Sequence, residues 1–224
     1  KAELQRSGVM TEKQKAKYID FKEVKKLKRL LGREVNLSRL YNRANVSKKD
    51  FTKIQRHLLL MLFTELPPSR NELASLRIIS EKDFKKLPSG NKENFLVTAR
   101  GGYKLLFREY KTVATHGPIN IFIPKHSKTL QRLLVKHVKY LRKHFPENNA
   151  LLLNQNFGPL TRNALTKYLQ RMFKQYFKKN ISTTMLRQIF LTSKYSKTLA
   201  DQAEDAKLMG HSLRTQRSDY IKKT

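Results

Sequence analysis

Apolar residues recur at the three- and four-residue spacing of amphipathic helices along most of the chain. Within residues 1–46 one such series begins at Tyr18 and continues through Phe21 and Val24. This series predicts a basic appendage that is mostly one helix. The remainder, residues 47–224, carries several helical series and predicts a separate compact domain.

Hydroxyl side chains placed before apolar series mark the predicted helix starts. Ser47 with Asp50 begins a helix that the proline pair 67–68 ends, because proline cannot continue a helix. Ser69 with Glu72 repeats the spacing of a capping box. It predicts a second helix start directly after the prolines.

The last hundred residues predict helices only. Ser127 and Thr161 each cap a helix, a third helix begins near Thr183, and a fourth covers about residues 199–208. A short final helix is predicted to carry Tyr220.

The hydrophobic period changes between these two helical regions. Three segments show the short alternating pattern of strands: residues 94–99, 103–111 and 119–123. Gly101-Gly102 is predicted to join the first two as a two-residue hairpin, and Gly117-Pro118 separates the second from the third. The expected fold class is therefore mainly α with a small three-stranded antiparallel sheet.

The charge of the chain indicates its partner. Its 224 residues include 48 Lys and Arg against 17 Asp and Glu, a formal net charge of +31. An excess of this size favours a polyanion, and nucleic acid is the commonest one. The longest apolar run, Leu58 to Phe63, cannot span a bilayer, so we expect an intracellular protein with no membrane contact.

Metal and cofactor chemistry have no support in the sequence. The chain has no cysteine, which excludes disulfides and thiolate metal sites, and its six histidines lack ligand spacing. Phosphate-loop and dinucleotide-binding motifs are absent from the sequence. Any reaction on nucleic acid is therefore expected to proceed without a metal or a cofactor.

One group of motifs near the C-terminus resembles a known family. Leu208 to Ser212 reads L-M-G-H-S, and Tyr220 follows His211 by nine residues. This spacing is similar to the final box of the tyrosine recombinases, in which L-G-H-S precedes a tyrosine nucleophile. The family's H-x-x-R box is matched upstream by Thr184 to Arg187.

Two further family positions have matches in the same order. The first arginine of the family corresponds to Arg70, and its hairpin lysine corresponds to Lys111 in the run Glu109 to Thr112. The resemblance covers residues 47–224 and implies the catalytic-domain fold of tyrosine recombinases. Each box alone is weak, and the match depends on their common order and context.

The resemblance implies a metal-independent strand transfer. Tyr220 would attack the scissile phosphate and form a 3′-phosphotyrosine link, while Arg70 and Arg187 hold the phosphate oxygens with their guanidinium forks. His211 would donate a hydrogen bond to the same phosphate. Lys111 would protonate the leaving 5′ oxygen.

The sequence departs from the family at two places. Thr184 stands where the family usually has histidine, and a threonine hydroxyl is no base near neutral pH. The family's R-x-x-E spacing is one residue short in Arg70-Asn71-Glu72, which leaves Arg77 as an alternative first arginine. The acceptor of the tyrosine proton is therefore open between water, His211 and the substrate.

A basic helix is the expected reader of double-stranded DNA. The family's corresponding helix enters the major groove near its start, which makes Arg162 the candidate base contact. Lys167, Arg171 and the sheet residue Lys104 are further candidate DNA contacts. Contacts of these cations with phosphate or solvent remain the alternative.

Two other functions share these motifs. A type IB topoisomerase uses the same chemistry to relax supercoils, and a catalytically inactive DNA-binding module would explain Thr184. The resemblance implies a homotetramer on DNA for a full-length enzyme, whereas we expect this chain to be a monomer and part of a longer protein. A host nucleus, a viral factory and a nucleoid are all consistent locations.

Overall fold

The structure, a computed structural model, describes residues 10–208 and, within that range, all side chains except those of residues 13, 200 and 202–208. It is mainly helical and contains one small sheet, as the sequence predicts. The α-helices are α1 (Glu12–Lys17), α2 (Phe21–Leu37), α3 (Lys48–Glu65), α4 (Glu81–Phe84), α5 (Val113–His116), α6 (Ile123–His126), α7 (Lys128–His144), α8 (Arg162–Phe177) and α9 (Thr183–Leu208). The strands are β1 (Arg77–Ser80), β2 (Phe95–Thr98), β3 (Lys104–Phe107) and β4 (Ile119–Phe122).

Local capping determines where the long helices begin. The hydroxyl of Ser47 accepts the backbone N–H of Asp50, and Ser127 and Thr161 make the equivalent bonds at the starts of α7 and α8. Each bond satisfies an N–H group that the helix itself leaves free. These three predicted starts are confirmed.

The predicted break in the last helical region is wrong. The structure has one helix, α9, from Thr183 to Leu208, in place of a third helix followed by a fourth over residues 199–208. No glycine or proline lies within that span, so nothing in its backbone chemistry interrupts the helix. The predicted final helix with Tyr220 lies outside the described residues.

The sheet has four strands in the order β1-β2-β3-β4. The prediction missed β1, which pairs in parallel with β2, whereas the other neighbours are antiparallel as expected. The segment Arg77–Ser80 follows an apparent helical stripe, and it becomes a strand because its backbone pairs with Phe95–Thr98. Non-local pairing of this kind overrides a weak local preference.

The connection between β2 and β3 is longer than the predicted two-residue hairpin. It covers residues 99–103, and Gly102 within it has φ +136°. A Cβ atom on Gly102 would lie 2.4 Å from the Cγ of Pro124, so both the backbone conformation and the close approach of α6 require glycine. The neighbouring Gly101 has open space around it.

Helix α2 belongs to the core of the molecule. Val24 and Leu31 on α2 are buried in the same apolar cluster as Leu58 and Phe63 on α3. Burial of this stripe holds α2 against the rest of the chain. A functional division of the chain at residue 46 stays a prediction.

A smaller core cluster surrounds a buried imidazole on α7. His137 is fully buried, its Nδ1 lies 3.2 Å from the hydroxyl of Tyr41, and its Nε2 lies 3.3 Å from the carbonyl oxygen of Leu151. A neutral ring satisfies both contacts, with Nε2–H as donor and Nδ1 as acceptor. Burial lowers the pKa of His137 to about 4.

Candidate active site

A cavity of about 560 Å³ lies between the sheet and the first turns of α9. Arg70 and Arg187, from distant parts of the sequence, both line it. Phe107, Ile119 and Ile121 form an apolar part of its wall. Apolar walls exclude water and so strengthen the interaction of the two guanidinium groups with an anion.

The chain reaches Arg70 through the proline pair that ends α3. The predicted helix start at Ser69 and Glu72 is wrong, because the structure has only a five-residue 3-10 helix, Asn71–Ser75, which leads directly into β1. Arg70 precedes this turn and no side chain caps it. A single 3-10 turn supplies no helix dipole of note, so the guanidinium group itself carries the positive charge here.

Asn71 connects the two arginine-bearing segments. Its Nδ2 donates to the Oγ1 of Thr166 on α8 at 2.9 Å, and its Oδ1 accepts from the Oγ1 of Thr183 at 2.8 Å. Thr183 is buried and begins α9 one turn before Arg187. The side chain next to Arg70 is thus bonded to the helix that carries Arg187.

Removing this amide tests its contribution. We expect Asn71→Ala to lower the free energy of unfolding by about 1–2 kcal/mol, because both threonine hydroxyls lose their partner. Asn163→Ala, at an exposed position of α8, is the matched control and should leave the stability unchanged. Urea unfolding of both variants makes the comparison, and equal midpoints would show that the bridge contributes nothing.

A buried amide, that of Asn94, holds the segment that leads to Lys111. The Oδ1 of Asn94 accepts the backbone N–H groups of Arg108 and Glu109, and its Nδ2 donates to the carbonyl oxygen of Glu109 and to the Oγ of Ser75. All four hydrogen-bonding positions of the amide are used. The exit of β3 is therefore fixed to the 3-10 turn that follows Arg70.

Lys111 lies in the connection between β3 and α5. The predicted strand over residues 103–111 is shorter in the structure, since β3 ends at Phe107. The side chain of Lys111 is exposed, and its neighbours Tyr110 and Thr112 both line the cavity. The structure thus brings the Lys111 segment to the same cavity as the two arginines.

The other family positions have different outcomes. Thr184 is exposed, and it is not among the described residues that line the cavity. Arg77, the alternative first arginine, begins β1, and its Nη1 lies 2.5 Å from the Oε1 of Glu93. His211 and Tyr220 lie outside the described residues.

Neither cavity arginine pairs with an acidic side chain in the described part of the chain. Among the side chains that the structure describes, no carboxylate oxygen lies within 4 Å of the guanidinium nitrogens of Arg70 or Arg187. Glu72 also lines the cavity and is largely buried. No carboxylate of the described side chains therefore neutralises the two guanidinium groups.

The candidate DNA contacts lie on α8 and the sheet. Arg162 pairs with Glu109 at 3.0 Å, which joins the start of α8 to the segment before Lys111. Lys167 and Arg171 are exposed, opposite the buried apolar stripe of the helix. The Nζ of Lys104 lies 3.9 Å from the Oε1 of Glu81, and the Lys104 side chain is also partly exposed.

Sequence reasoning missed three residues of this region. Asn71, Asn94 and His116 belong to no motif, and only the contacts of the folded chain single them out. Thr183 was predicted only as a helix start, and its bond to Asn71 was not predicted. The place of Asn71 between Arg70 and Glu72 in the shortened R-x-x-E spacing was the one available hint.

Two negative findings apply to the described part of the chain. It contains no cluster of three or more His, Asp or Glu side chains arranged to hold a metal ion. None of its helices combines the length and the apolar character needed to cross a bilayer.

Comparisons with known proteins gave two matches of note among solved structures. One is a crystal structure of XerH site-specific recombinase bound to palindromic difH substrate in a post-cleavage complex, at 22% identity and a TM-score of 0.44. The other is the pre-cleavage complex of XerH with difH substrate, at 20% identity and the same TM-score. They cover 90% and 93% of this chain but 48% and 51% of the XerH chains, so this chain spans about half their length.

The remaining comparisons found nothing. No protein-family model matches the chain, and no curated protein matches it. Both structural neighbours are site-specific recombinases in complex with DNA.

Proposed function

We propose that this chain is the catalytic part of a tyrosine-type site-specific DNA recombinase that cuts and rejoins DNA through a 3′-phosphotyrosine intermediate. The observation that carries the proposal is the shared cavity of Arg70 and Arg187, with the Lys111 segment at its wall. The two arginines are far apart in the sequence, yet both line one cavity, and neither pairs with a carboxylate among the described side chains. Planar guanidinium groups bind phosphate oxygens in pairs, which suits a phosphodiester held without a metal.

The reaction follows from these roles. The Tyr220 hydroxyl oxygen attacks the phosphorus of the scissile phosphate. The bond between phosphorus and the 5′ oxygen breaks, and the phosphate is transferred to the tyrosine. Arg70 and Arg187 neutralise the charge that accumulates on the non-bridging oxygens. Lys111 gives a proton to the leaving 5′ oxygen, and His211 donates to a non-bridging oxygen. The energy of the phosphodiester is kept in the tyrosine ester, so rejoining needs no ATP.

Double-stranded DNA is the proposed partner. The net charge of +31 favours a polyanion, and Lys167 and Arg171 point away from the core on α8. Arg162 is proposed to leave Glu109 for DNA when α8 approaches the major groove. The proposal includes the assembly of four copies of the protein on DNA. It also implies that the protein is located where DNA is present in the cell.

Covalent capture on a mixture of many duplex sequences tests the reaction. The probe is a pool of nicked duplexes in which the positions on both sides of the nick are randomised. A nick lets the short 5′-hydroxyl strand diffuse away and traps the enzyme on DNA. We expect an adduct that survives denaturing electrophoresis and disappears in Tyr220→Phe, because the nucleophilic oxygen is lost.

The matched control is Tyr195→Phe, which changes an exposed tyrosine of α9 and should retain the adduct. No adduct with any duplex would contradict the proposal and favour an inactive DNA-binding module, the alternative that Thr184 suggests. An adduct accompanied by plasmid relaxation without joining of two sites would instead favour a type IB topoisomerase.

A further inference from the structure

The cavity contains an imidazole that no motif assigns. His116 ends α5 and lines the cavity together with Arg70, Arg187 and Thr112. Its side chain is exposed, so a ligand in the cavity can reach it. His116 lies five residues after Lys111 on the same connection between β3 and β4.

The turn around His116 is well anchored. Gly117 adopts φ +67° and its N–H donates to the carbonyl oxygen of Val113 at 2.8 Å. The hydroxyl of Tyr110 donates to the carbonyl oxygen of Gly117 at 2.5 Å. Positive φ favours glycine at that position, and the tyrosine bond fixes the turn to the exit of β3. The backbone of His116 is therefore held beside the cavity.

The proposed reaction has a missing part. A phenol must lose its proton as it attacks phosphorus, and the residue that stands in the family's histidine position is Thr184. A threonine hydroxyl does not accept a proton near neutral pH. Thr184 is also exposed and outside the cavity lining of the described chain, whereas His116 is in that lining.

We propose that His116 is the general base of strand cleavage and thereby replaces the function of the missing family histidine. This inference rests on the proposed function. As the bond from the Tyr220 oxygen to phosphorus forms, the phenol proton passes to the neutral imidazole, and the bond from phosphorus to the 5′ oxygen breaks. Lys111 protonates that oxygen. Rejoining reverses each transfer and returns the proton from the imidazolium to tyrosine.

The charged side chains that line the cavity with His116 come from two other segments. Arg70 and Glu72 belong to the segment after α3, and Arg187 belongs to α9. Lys111 is on the same connection as His116, and its neighbours Tyr110 and Thr112 line the cavity. Histidine is the side chain that changes charge between about pH 5 and 8, so a step that needs the neutral ring accelerates as pH rises through that range.

The pH profile of adduct formation separates a base from a structural residue. With the nicked duplex selected from the randomised pool, the wild-type rate should rise between about pH 5.5 and 7.5. His116→Gln should be slower by about 10²-fold at the upper end and flat across the range. His126→Gln, an exposed neighbour beyond β4, is the matched control and should keep the wild-type rate and profile.

The outcomes distinguish the two proposals. If the wild type forms adduct and His116→Gln matches it in rate and profile, the role of His116 is wrong and the recombinase proposal stands. If the wild type forms no adduct, the proposed function fails and the base role fails with it.

A binding measurement tests the position of His116 separately from activity. Inorganic phosphate is the probe, and the imidazole C–H signals of His116 are identified by their loss in His116→Gln. We expect these signals to shift on titration with phosphate, and the shift to weaken in Arg187→Lys. Signals of His116 that do not respond while the protein binds phosphate would overturn the proposal.

Discussion

Arg187→Lys and Arg70→Lys are each expected to slow formation of the DNA adduct by about 10²–10³-fold. Lysine keeps the positive charge at the cavity but loses the planar fork that contacts two phosphate oxygens at once. The contact matters most in the transition state, where negative charge accumulates on the non-bridging oxygens. Binding of DNA should change little, because it draws on many basic residues of a chain with net charge +31.

Two measurements check this expectation. Single-turnover adduct formation on the selected nicked duplex gives the rate, and fluorescence anisotropy with an intact duplex gives the affinity. Arg132→Lys, at an exposed site on α7 away from the cavity, is the matched control and should behave as wild type. Loss of affinity in the same proportion as rate would contradict the assignment, since it would indicate general DNA contacts.

Acid is expected to destabilise the protein through the buried ring of His137. Burial lowers its pKa to about 4 from the ordinary 6.5, so the folded state binds this proton less readily than the unfolded state. The stability is therefore complete above about pH 6.5 and is lost as pH falls toward 4. The loss from this one group amounts to about 2 kcal/mol at pH 5 and about 3 kcal/mol at pH 4.

A substitution isolates this contribution from other titrating groups. His57, on α3 with its ring against Gly32 of α2, has a pKa lowered in the same direction, by burial and by the nearby charge of Lys28. The comparison is therefore between wild type and His137→Gln, whose amide can still donate to the carbonyl of Leu151. We expect the variant to have a lower free energy of unfolding than the wild type at pH 7. On acidification it should lose less of that free energy than the wild type, by about 2 kcal/mol at pH 5 and about 3 kcal/mol at pH 4.

Urea unfolding at several pH values between 4 and 7 measures this difference. His126→Gln changes an exposed histidine and should retain the acid sensitivity of the wild type. Parallel stability curves for wild type and His137→Gln would show that the buried ring does not couple folding to pH.

Local signals in the sequence predicted the helices well. Ser47, Ser127 and Thr161 each form the expected hydrogen bond three residues ahead, because a cap and its partner are neighbours along the chain. The same rule was wrong at Ser69, where only a 3-10 turn forms. There the chain leaves the turn to pair with β2, a partner that local spacing does not reveal.

The residues of the candidate site also differ in whether local signals in the sequence could identify them. Motif order selected Arg70, Lys111 and Arg187 from a chain with 48 basic residues, and the structure brings both arginines and the Lys111 segment to one cavity. His211 and Tyr220 lie outside the described residues, so their roles remain predictions. The bridging amides of Asn71 and Asn94 had no motif, since each acts through partners that are distant in sequence.

The sequence by itself determined the basic character of the protein, the starts of α3, α7 and α8 and the choice of Arg70 and Arg187 as candidates, because charge, caps and motif spacing are properties of the sequence alone. Only the tertiary structure decided that β1 joins the sheet, that Asn71 links the two arginine segments, and that His116 faces the cavity. These features arise from contacts between residues far apart along the chain, whose closeness depends on how the helices and the sheet pack.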